Sequence, residues 1–588
     1  MLLAALAAVG SNVAEEVIDR ASGTSGRPTR VVRGPGAVVA AWPGAARASG
    51  GGPHGWVAEG WMELDPDALS PAALRRARGH FAMFALREEG VLLASGRAGG
   101  RRPIFVAWPS RDLVLACTRL SPLLALLPQR SPLDLQYVAA SVVKYTPPDG
   151  ATAYAAVRRV PAGEAWLCGR GGKVDRWRTD RPLVEPELRD DGHLAIRLRE
   201  ALTEATRRSA RDADGIAVEV SGGLDSSFLL SLLVRLARDG AIPAAPEAFV
   251  YESTAPVWHD ERPHVRSLER HLGIVARRVY PRDAAPFVRR TLVTDSMAAP
   301  APALCAAGPL RAFADSYGVN VALTGLGGDE VLDGDLRLFA DVAREGKLRQ
   351  AVRGAARTRG VFYEGALGRI DRFLLRPMAK RLLPELVWQA LGRLRRKIPR
   401  WAGPALVRQV RSEVSTLEPP PTLHESPGQR YDRMLRMSLF GFVSSIYLQE
   451  EVVGGFVVRT PFLDDDFLRF VATLPPLSLL QGGYLRGLMR EAMRGLVPED
   501  LRLRETKGHP FWFVERTIEE AGGMKVFADL VDVRLLADLG LVEPARFREY
   551  VDDVGRRPVD ADFAELWRVL SVEAFLRAYA GESPAGHA

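Results

Sequence analysis

The spacing of hydrophobic positions divides the chain into two parts with different predicted folds. Up to about Arg178, short apolar runs such as HFAMFALREEGVLLASG and RPIFVAW predict β-hairpins of an α+β or sandwich domain, and MLLAALAAVG predicts its first strand. The stretch TDRPLVEPELRDDG then has the composition of a linker. We therefore place a first domain at residues 1–185 and a second at residues 192–588.

From about residue 192, helical and strand patterns alternate. HLAIRLREALTEATRRSA and ERPHVRSLERHLG have helical spacing, whereas EAFVYES, VARRVY and NVALTG are short apolar runs typical of buried strands. This alternation predicts a doubly wound parallel sheet, whose ligands bind beyond the carboxyl ends of the strands. After about residue 335 the pattern is almost wholly helical.

One strand-to-helix junction carries polar side chains that a simple turn does not need. In GIAVEVSGGLDSSFLLSLLVRL an apolar run ends at Val220, and leucines at helical spacing begin at Leu229. The first amide groups of a helix lack partners and lie at the positive end of its dipole, so the junction predicts a phosphate site, although Ser, Asp and Gly also begin ordinary capped helices. Asp225 has the wrong charge for a phosphate unless Mg²⁺ lies between them. The predicted nucleotide-binding residues are Ser221, Gly222, Gly223, Leu224, Asp225, Ser226 and Ser227.

A second junction, VALTGLGGDEVLDGD, has the same order of features: an apolar strand, then Gly325, Gly327 and Gly328, then Asp329. Mg²⁺ in proteins usually takes one or two carboxylates together with phosphate oxygens. We therefore predict that Asp225 and Asp329 meet across the crevice as metal ligands, and that Gly325 and Gly327 bind ATP.

Composition adds limits rather than a function. With 588 residues the chain exceeds a single core, and its formal net charge of +8 is too modest over this length to indicate nucleic acid. Cys117, Cys168 and Cys305 are scattered, so neither a disulfide framework nor a zinc site is expected. No apolar run is long enough to span a bilayer, and we expect a cytoplasmic protein.

Several motifs together resemble a known family. SGGLDSS lacks the Lys of a Walker A loop and is similar to the S-G-G-x-D-S loop of the ATP pyrophosphatases. With TGLGGDE, VVRTPFLDDDFLRFVATLP and REAMRGLVPEDLRLRETKGHPF it resembles the synthetase domain of the asparagine synthetase family over most of residues 192–520. The resemblance implies an α/β ATP-pyrophosphatase domain of the PP-loop kind with a helical C-terminal part. It is weakest over a basic helical insert at residues 335–427.

The first domain resembles the glutaminase domain of the same family, an Ntn-type β-sandwich, through GHFAMFALREEGVLLAS, GRRPIFVA and AVRRVPAGEAWLCGRGGKVDRWR. It departs from that family where the chemistry matters. The second residue is Leu2 rather than the nucleophilic Cys, and the Gly-Asp-Phe turn reads Gly79-His80-Phe81. We therefore expect a degenerate glutaminase-like domain that hydrolyses no glutamine.

An enzyme that keeps the ATP half but makes no ammonia should take its amine from elsewhere. The β-lactam synthetases and the lasso peptide cyclases, which resemble this arrangement, adenylate a carboxylate and close it on an amine of the same molecule. Chain length and the basic insert favour the lasso peptide cyclases, which join an Asp or Glu side chain of a precursor peptide to its N-terminal amine. An ammonia-dependent asparagine synthetase and a small-molecule ring closer remain the alternatives.

The resemblance also implies residue roles. Lys507 matches the lysine that stabilises charge in the synthetase reaction, and Tyr363 and Glu364 lie where β-lactam synthetases have an acid–base pair. His509 is an equally open choice for the base. Val250 is expected near the adenine, whereas Arg459 is expected to brace the helical part.

The partners expected are the precursor peptide itself and, at the basic segment from Arg376 to Arg411, a leader-binding protein and a leader peptidase. That segment could equally be a solvated helical surface. No nucleic-acid partner is expected.

Overall fold

The computed structural model describes residues 1–8, 12–42, 47–49, 55–63, 69–96, 102–143, 150–179, 188, 192–252, 261–280, 307–333, 338–359, 365–382, 387, 398–412, 456–505, 518–519, 522–556 and 560–582. Everything below concerns these residues.

The first 178 residues build two antiparallel sheets of six strands each, in the orders β10-β8-β9-β1-β3-β2 and β12-β11-β7-β6-β5-β4. Their strands are β1 (Leu2–Leu6), β2 (Arg30–Gly34), β3 (Ala37–Ala41), β4 (Arg47–Ser49), β5 (Trp56–Glu63), β6 (Arg78–Arg87), β7 (Gly90–Ser95), β8 (Ile104–Ser110), β9 (Leu113–Cys117), β10 (Val157–Val160), β11 (Glu164–Gly169) and β12 (Val174–Arg178). The hairpin predicted from HFAMFALREEGVLLASG is β6–β7, with Leu86 opposite Val91.

The two sheets pack face to face as a sandwich. Side chains alternate across a strand, so Leu2 and Leu6 of β1 point into the layer between the sheets, where they join Phe84 and Leu93 of the facing sheet. Leu3 on the other side of β1 is also fully buried, because helices cover that outer face. The sandwich predicted for the first domain is therefore present.

The second part contains a parallel sheet of five strands in the order β15-β14-β13-β16-β17. These strands are β13 (Ile216–Glu219), β14 (Pro246–Tyr251), β15 (Arg277–Val279), β16 (Val321–Leu323) and β17 (Val457–Arg459). The chain moves outward from β13 to β15 and then returns to place β16 on the other side of β13, so the order reverses between β13 and β16. Ligands of such sheets bind at that switch point.

Helices cover the sheets and account for most of the described residues after residue 338. They are α1 (Val13–Ser25), α2 (Pro71–Leu74), α3 (Leu120–Leu126), α4 (Leu135–Val142), α5 (Leu194–Ser209), α6 (Leu224–Arg238), α7 (Arg262–Leu272), α8 (Ala307–Tyr317), α9 (Gly328–Leu332), α10 (Leu338–Arg344), α11 (Leu348–Arg357), α12 (Ala366–Ile370), α13 (Arg376–Leu382), α14 (Pro404–Ser412), α15 (Asp465–Thr473), α16 (Gly487–Ala492), α17 (Glu499–Arg502), α18 (Arg534–Asp538), α19 (Pro544–Arg556) and α20 (Asp560–Ala580). A π-helical turn at Asp371–Leu375 joins α12 to α13.

Two features of this second part were not predicted. Strand β17 is only three residues long, too short for a periodic signal, yet it forms the edge of the parallel sheet beside β16. The last helices share one hydrophobic core with the first domain: Trp567 and Phe575 of α20 belong to the same cluster as Leu3 and Leu123. The boundary at residues 185–192 stays a prediction.

Two arginines join the β17 region to the helix before β13. Arg459 Nη1 donates to the carbonyl oxygens of Ser209 and Arg211, at 2.8 and 2.6 Å, beyond the end of α5. Arg208 pairs with the carboxylate of Asp464, which also caps α15. Arg459 thus braces the end of α5, because it satisfies carbonyl groups that a helix end leaves without partners. Its expected bracing of the helical part stays a prediction.

Candidate functional site

The first loop lies between the central strand β13 and the first turn of α6. Gly222 has φ +72°, a conformation that favours glycine, and Gly223 precedes the helix without a side-chain cap. The hydroxyl of Ser221 contacts that of Ser226 at 3.3 Å. The loop therefore presents uncapped amide groups of a fifteen-residue helix at the switch point of the sheet.

The seven residues predicted for this loop do not all face outward. Leu224 and Ser227 are 5% and 0% exposed, so their side chains belong to the interior beneath the loop. Ser221 is exposed, and Asp225 is partly exposed at the start of α6. Leu224 and Ser227 can contribute only their main chain to a ligand, while Ser221 and Asp225 can contribute side chains.

The second loop packs directly on the first. A Cβ atom on Gly325 would lie 2.8 Å from the amide nitrogen of Ser226, and one on Gly328 would lie 2.2 Å from Asp225 Oδ1. Gly327 has φ +91° and faces Leu463. Because any side chain at Gly325 or Gly328 would collide with the Asp225 region, these glycines are what allows the two loops to meet.

Asp225 and Asp329 do come together, and Arg486 lies between them. Its Nη1 atom is 2.8 Å from Asp225 Oδ2 and 2.7 Å from Asp329 Oδ1, while its Nε atom is 2.8 Å from Asp333 Oδ1. The contacts with Asp329 and Asp333 are ion pairs without well-aligned hydrogen bonds. Both predicted metal ligands thus converge on one positive charge.

Neighbouring carboxylates and the backbone conformation fix the charged side chain of Arg486 in position. Burial alone would lower the pKa of its guanidinium, but Asp225, Asp329 and Asp333 raise the pKa above its ordinary value. Its backbone has φ +57°, which is rare for a residue with a side chain and marks a conformation imposed by tertiary contacts. Arg486 was not predicted, since it lies 261 positions after Asp225 and no local signal links the two residues.

The donor set fits Mg²⁺ with a nucleotide. Two carboxylate oxygens lie within hydrogen-bond distance of one guanidinium nitrogen, so a cation at that point contacts both. In the part of the chain that the structure describes, no group of three or more His, Cys, Asp or Glu side chains forms a metal site. A magnesium ion at Asp225 and Asp329 would therefore take its other ligands from phosphate and water, as Mg²⁺ commonly does.

A second buried arginine fixes the approach to the predicted lysine. Arg504 Nη1 donates to the carbonyl oxygen of Gly222 at 2.6 Å and, with Nη2, pairs with both carboxylate oxygens of Glu261. Its side chain is only 7% exposed. Arg504 was also missed, although RLRETKGHPF places it three residues before Lys507.

Other predicted residues lie outside the described part of the chain. Lys507, Tyr363, Glu364 and His509 belong to this group. The described segment that leads to Lys507 ends at Glu505, just beyond the contact of Arg504 with the loop. Their roles therefore stay predictions.

The strand ends beside the loop contribute Val250 and Glu219. The side chain of Val250 is 8% exposed and lies in the hydrophobic core, so only its main chain can face the adenine expected there. Glu219, the last residue of β13, pairs with Phe249 in the sheet, and its carboxyl group forms no hydrogen bond or ion pair with a described residue. Burial raises the pKa of its carboxyl from 4.5 to about 7.

The first domain offers no reactive thiol among the described residues. Leu2 is fully buried within β1, where glutaminase chemistry would require a cysteine. Burial raises the pKa of the Cys117 and Cys168 thiols to about 12, which keeps both protonated near neutral pH. These residues are the reason for interpreting this domain as a degenerate glutaminase-like domain.

A buried carboxylate occupies the same region of the sandwich. Glu59 accepts hydrogen bonds from Arg102 at 3.1 Å, Arg119 at 2.9 Å and the Thr118 hydroxyl at 2.7 Å. Burial alone would raise its pKa, but the two arginines lower the pKa to about 2. The cluster is a satisfied internal ion network.

Comparisons with known proteins bear on the second part of the chain. The asparagine synthase family model matches residues 197–577. No curated protein matches the sequence. Within the described residues, no helix combines the length and the apolar composition that crossing a membrane requires.

The chain is distantly similar to two solved structures. Glutamine phosphoribosylpyrophosphate amidotransferase from B. subtilis, complexed with ADP and GMP, is 11% identical over 47% of this chain and 90% of that chain, with a TM-score of 0.21. The allosteric regulatory enzyme of purine biosynthesis is 11% identical over 60% of this chain and 78% of that chain, with a TM-score of 0.20. Scores this low carry no argument about this chain.

Proposed function

This chain belongs to the asparagine synthase family, and from that premise we propose that it is an ATP-dependent lasso peptide cyclase. It activates an Asp or Glu side-chain carboxylate of a precursor peptide as an acyl-adenylate and closes it on the N-terminal amine. The products are a macrolactam, AMP and pyrophosphate. Membership of the family implies ATP-dependent amide bond formation. That the substrate is a peptide and that the product is a ring is our proposal.

One observation carries the nucleotide part of the proposal. Asp225 and Asp329 follow β13 and β16, the two strands that flank the switch point, and their carboxylates share one cationic partner. Ligand sites in open parallel sheets occur at that point. A pair of acids with an uncapped helix start beside it suits a magnesium nucleotide better than a neutral ligand.

The chain's own residues supply the positioning. The loop from Ser221 to Ser227 receives the pyrophosphate, and Asp225 and Asp329 would hold Mg²⁺, which neutralises phosphate charge when bound. Arg504 fixes the segment that continues to Lys507 against the loop. Lys507 then stabilises negative charge, first on the α-phosphate and later on the tetrahedral oxyanion.

Ring closure needs an amine and a place for its proton. An α-amine has a pKa near 8, so a weak base or desolvation is sufficient to prepare it. Holding the activated carboxyl and the amine of one peptide in a single cleft makes the attack intramolecular, which supplies much of the rate. The base is assigned to neither Tyr363, Glu364 nor His509.

Two features support an internal amine over ammonia. The described thiols of the first domain are buried and protonated, and Leu2 has no nucleophilic group. The helices between residues 338 and 382 form an additional basic surface that a free aspartate substrate would not need. These features favour a peptide substrate over aspartate and ammonium. Aspartate and ammonium are the substrates of the alternative function, an ammonia-dependent asparagine synthetase.

The test is a product analysis with Mg²⁺ and ATP. Synthetic peptides with a free N-terminus carry an acidic residue that is moved one position at a time, and matched peptides carry an acetylated N-terminus. A peptide lighter by one water, formed with AMP in equal amount and only from the free amine, supports the proposal. Conversion of aspartate and ammonium to asparagine, with no peptide product, would replace it with the alternative.

A further inference from the structure

The helices after residue 338 pack around a small core of their own, which includes Phe339, Phe373 and Leu480. Helix α11 turns Ala351 and Ala355 inward, both of them 0% exposed. Gly354 faces the ring of Phe339 so closely that a Cβ atom there would lie 2.4 Å from it. One side of α11 is thus fixed against this core.

The outer side of α11 carries three exposed arginines at intervals of four residues: Arg349, Arg353 and Arg357, which we name the arginine stripe. Residues four apart lie on the same side of a helix and about 6 Å apart along its axis. None of their guanidinium groups forms an ion pair or hydrogen bond with a described residue. Like charges at this spacing destabilise a helix by a few tenths of a kcal/mol per pair.

The stripe lies in a basic part of the sequence. Residues 338–382 contain eleven Lys and Arg residues against four Asp and Glu residues, a net charge of +7, whereas the entire chain has +8. The same helices expose large apolar side chains, with Leu367 83% and Leu375 54% accessible. Concentrated charge beside exposed leucines is typical of a binding surface rather than of a uniformly solvated one.

The stripe leads to the candidate active site through the backbone. The amide of Arg359 donates to the carbonyl oxygen of Gly483 at 2.6 Å, and the amide of Leu485 donates to the carbonyl oxygen of Arg359 at 3.1 Å. Leu485 directly precedes Arg486, which lies between Asp225 and Asp329. The end of α11 is therefore tied to the segment that carries the central cation of the site.

We propose that the arginine stripe binds an acidic segment of the peptide substrate and leads that peptide toward the cleft. The spacing suits this ligand, because alternate residues of an extended peptide lie about 6.8 Å apart. Glutamates at alternate positions would thus face successive arginines. This inference rests on the proposed function for its claim that the ligand is the substrate.

The test compares the full-length protein with the triple variant R349Q/R353Q/R357Q. The matched control is R75Q/R76Q/R111Q, which removes the same charge from exposed arginines of the first domain. The probe is a fluorescein-labelled peptide with three glutamates at alternate positions, and a glutamine version and a single-stranded oligonucleotide of equal charge serve as comparisons. Binding is measured by fluorescence anisotropy at low and at physiological salt.

The stripe variant is expected to bind the glutamate peptide about tenfold more weakly, while the control binds it like the wild type. The glutamine peptide should bind weakly to all three proteins. Equal loss in both triple variants would reduce the effect to net charge and overturn the proposal, and so would stripe-dependent binding that prefers the oligonucleotide.

Kinetic measurements distinguish an error in the role of the arginine stripe from an error in the proposed function. With a peptide that is cyclised, the stripe variant should raise KM about tenfold and leave kcat nearly unchanged, since docking lies outside the chemistry. An unchanged KM would refute substrate binding by the arginine stripe and leave the proposed cyclase function intact. Stripe-dependent peptide binding by a chain that forms only asparagine would retain the acidic-peptide surface and remove the claim that the peptide is the substrate.

Discussion

Replacing Arg486 with Met tests the arrangement of charges at the centre of the site. Methionine has a comparable volume and the same backbone preference at φ +57°, so the change removes mainly the charge. Asp225, Asp329 and Asp333 would then lie together without their shared cation. Breaking a buried ion cluster by removing one partner costs about 3–5 kcal/mol.

The exposure of the carboxylates lowers that figure. The side chain of Asp225 is 17% exposed, but those of Asp329 and Asp333 are 34% and 40% exposed, so water screens part of their repulsion. We therefore expect R486M to lose about 2–3 kcal/mol of local stability in the absence of metal. Arg486→Lys, which keeps one charge, should lose less.

The assay is thermal unfolding with EDTA and with Mg²⁺, together with Mn²⁺ binding by electron paramagnetic resonance. R486M should have a lowered Tm in EDTA, should recover with Mg²⁺ more than the wild type does, and should bind Mn²⁺ at least tenfold more tightly without nucleotide, because no guanidinium competes for the carboxylates. A variant as stable as the wild type in EDTA, with unchanged Mn²⁺ affinity, would refute the view that Arg486 and a metal share these acids.

Three further predictions follow from single residues. Because burial raises the pKa of Glu219 from 4.5 to about 7, its ionisation increasingly opposes folding as the pH rises through this range, so Glu219→Gln should gain up to about 3 kcal/mol relative to wild type between pH 5 and pH 8, and parallel Tm profiles would contradict this. Gly328→Ala, whose Cβ atom would lie 2.2 Å from Asp225 Oδ1, should reduce AMP formation at least tenfold, whereas Gly365→Ala, with open space around it, should leave the rate unchanged. Lys507→Ala should keep ATP affinity in equilibrium binding and lose turnover, and normal cyclisation by this variant would remove Lys507 from the mechanism.

The sequence predicts the nucleotide loops because their chemistry is local. A strand, paired glycines and an acid within a few positions define each loop, and Gly325 and Gly328 are required by contacts that the structure then makes visible. The meeting of Asp225 with Asp329 follows from strand order alone, since both loops end neighbouring parallel strands.

What the sequence leaves out depends on distant contacts. Arg486 becomes a site residue only because a strained backbone aims it at acids from two other loops, and no period or motif encodes that. In the sequence, Trp567 and Phe575 have the pattern of an ordinary helical core. Their packing on the outer face of the first sheet therefore cannot be predicted from that pattern either. The role of Arg504 was easier to predict, because this residue belongs to the same sequence motif as Lys507.

The central claim is that a carboxylate of the substrate attacks the α-phosphorus of ATP at the site built by Asp225 and Asp329. Labelling the acidic side chain of a cyclised peptide with oxygen-18 tests it directly, because adenylation followed by amide formation leaves one carboxylate oxygen on AMP. We predict one labelled oxygen in the AMP for each amide formed, and no label in pyrophosphate. Unlabelled AMP, or label in released phosphate, would contradict activation of the carboxylate as an adenylate.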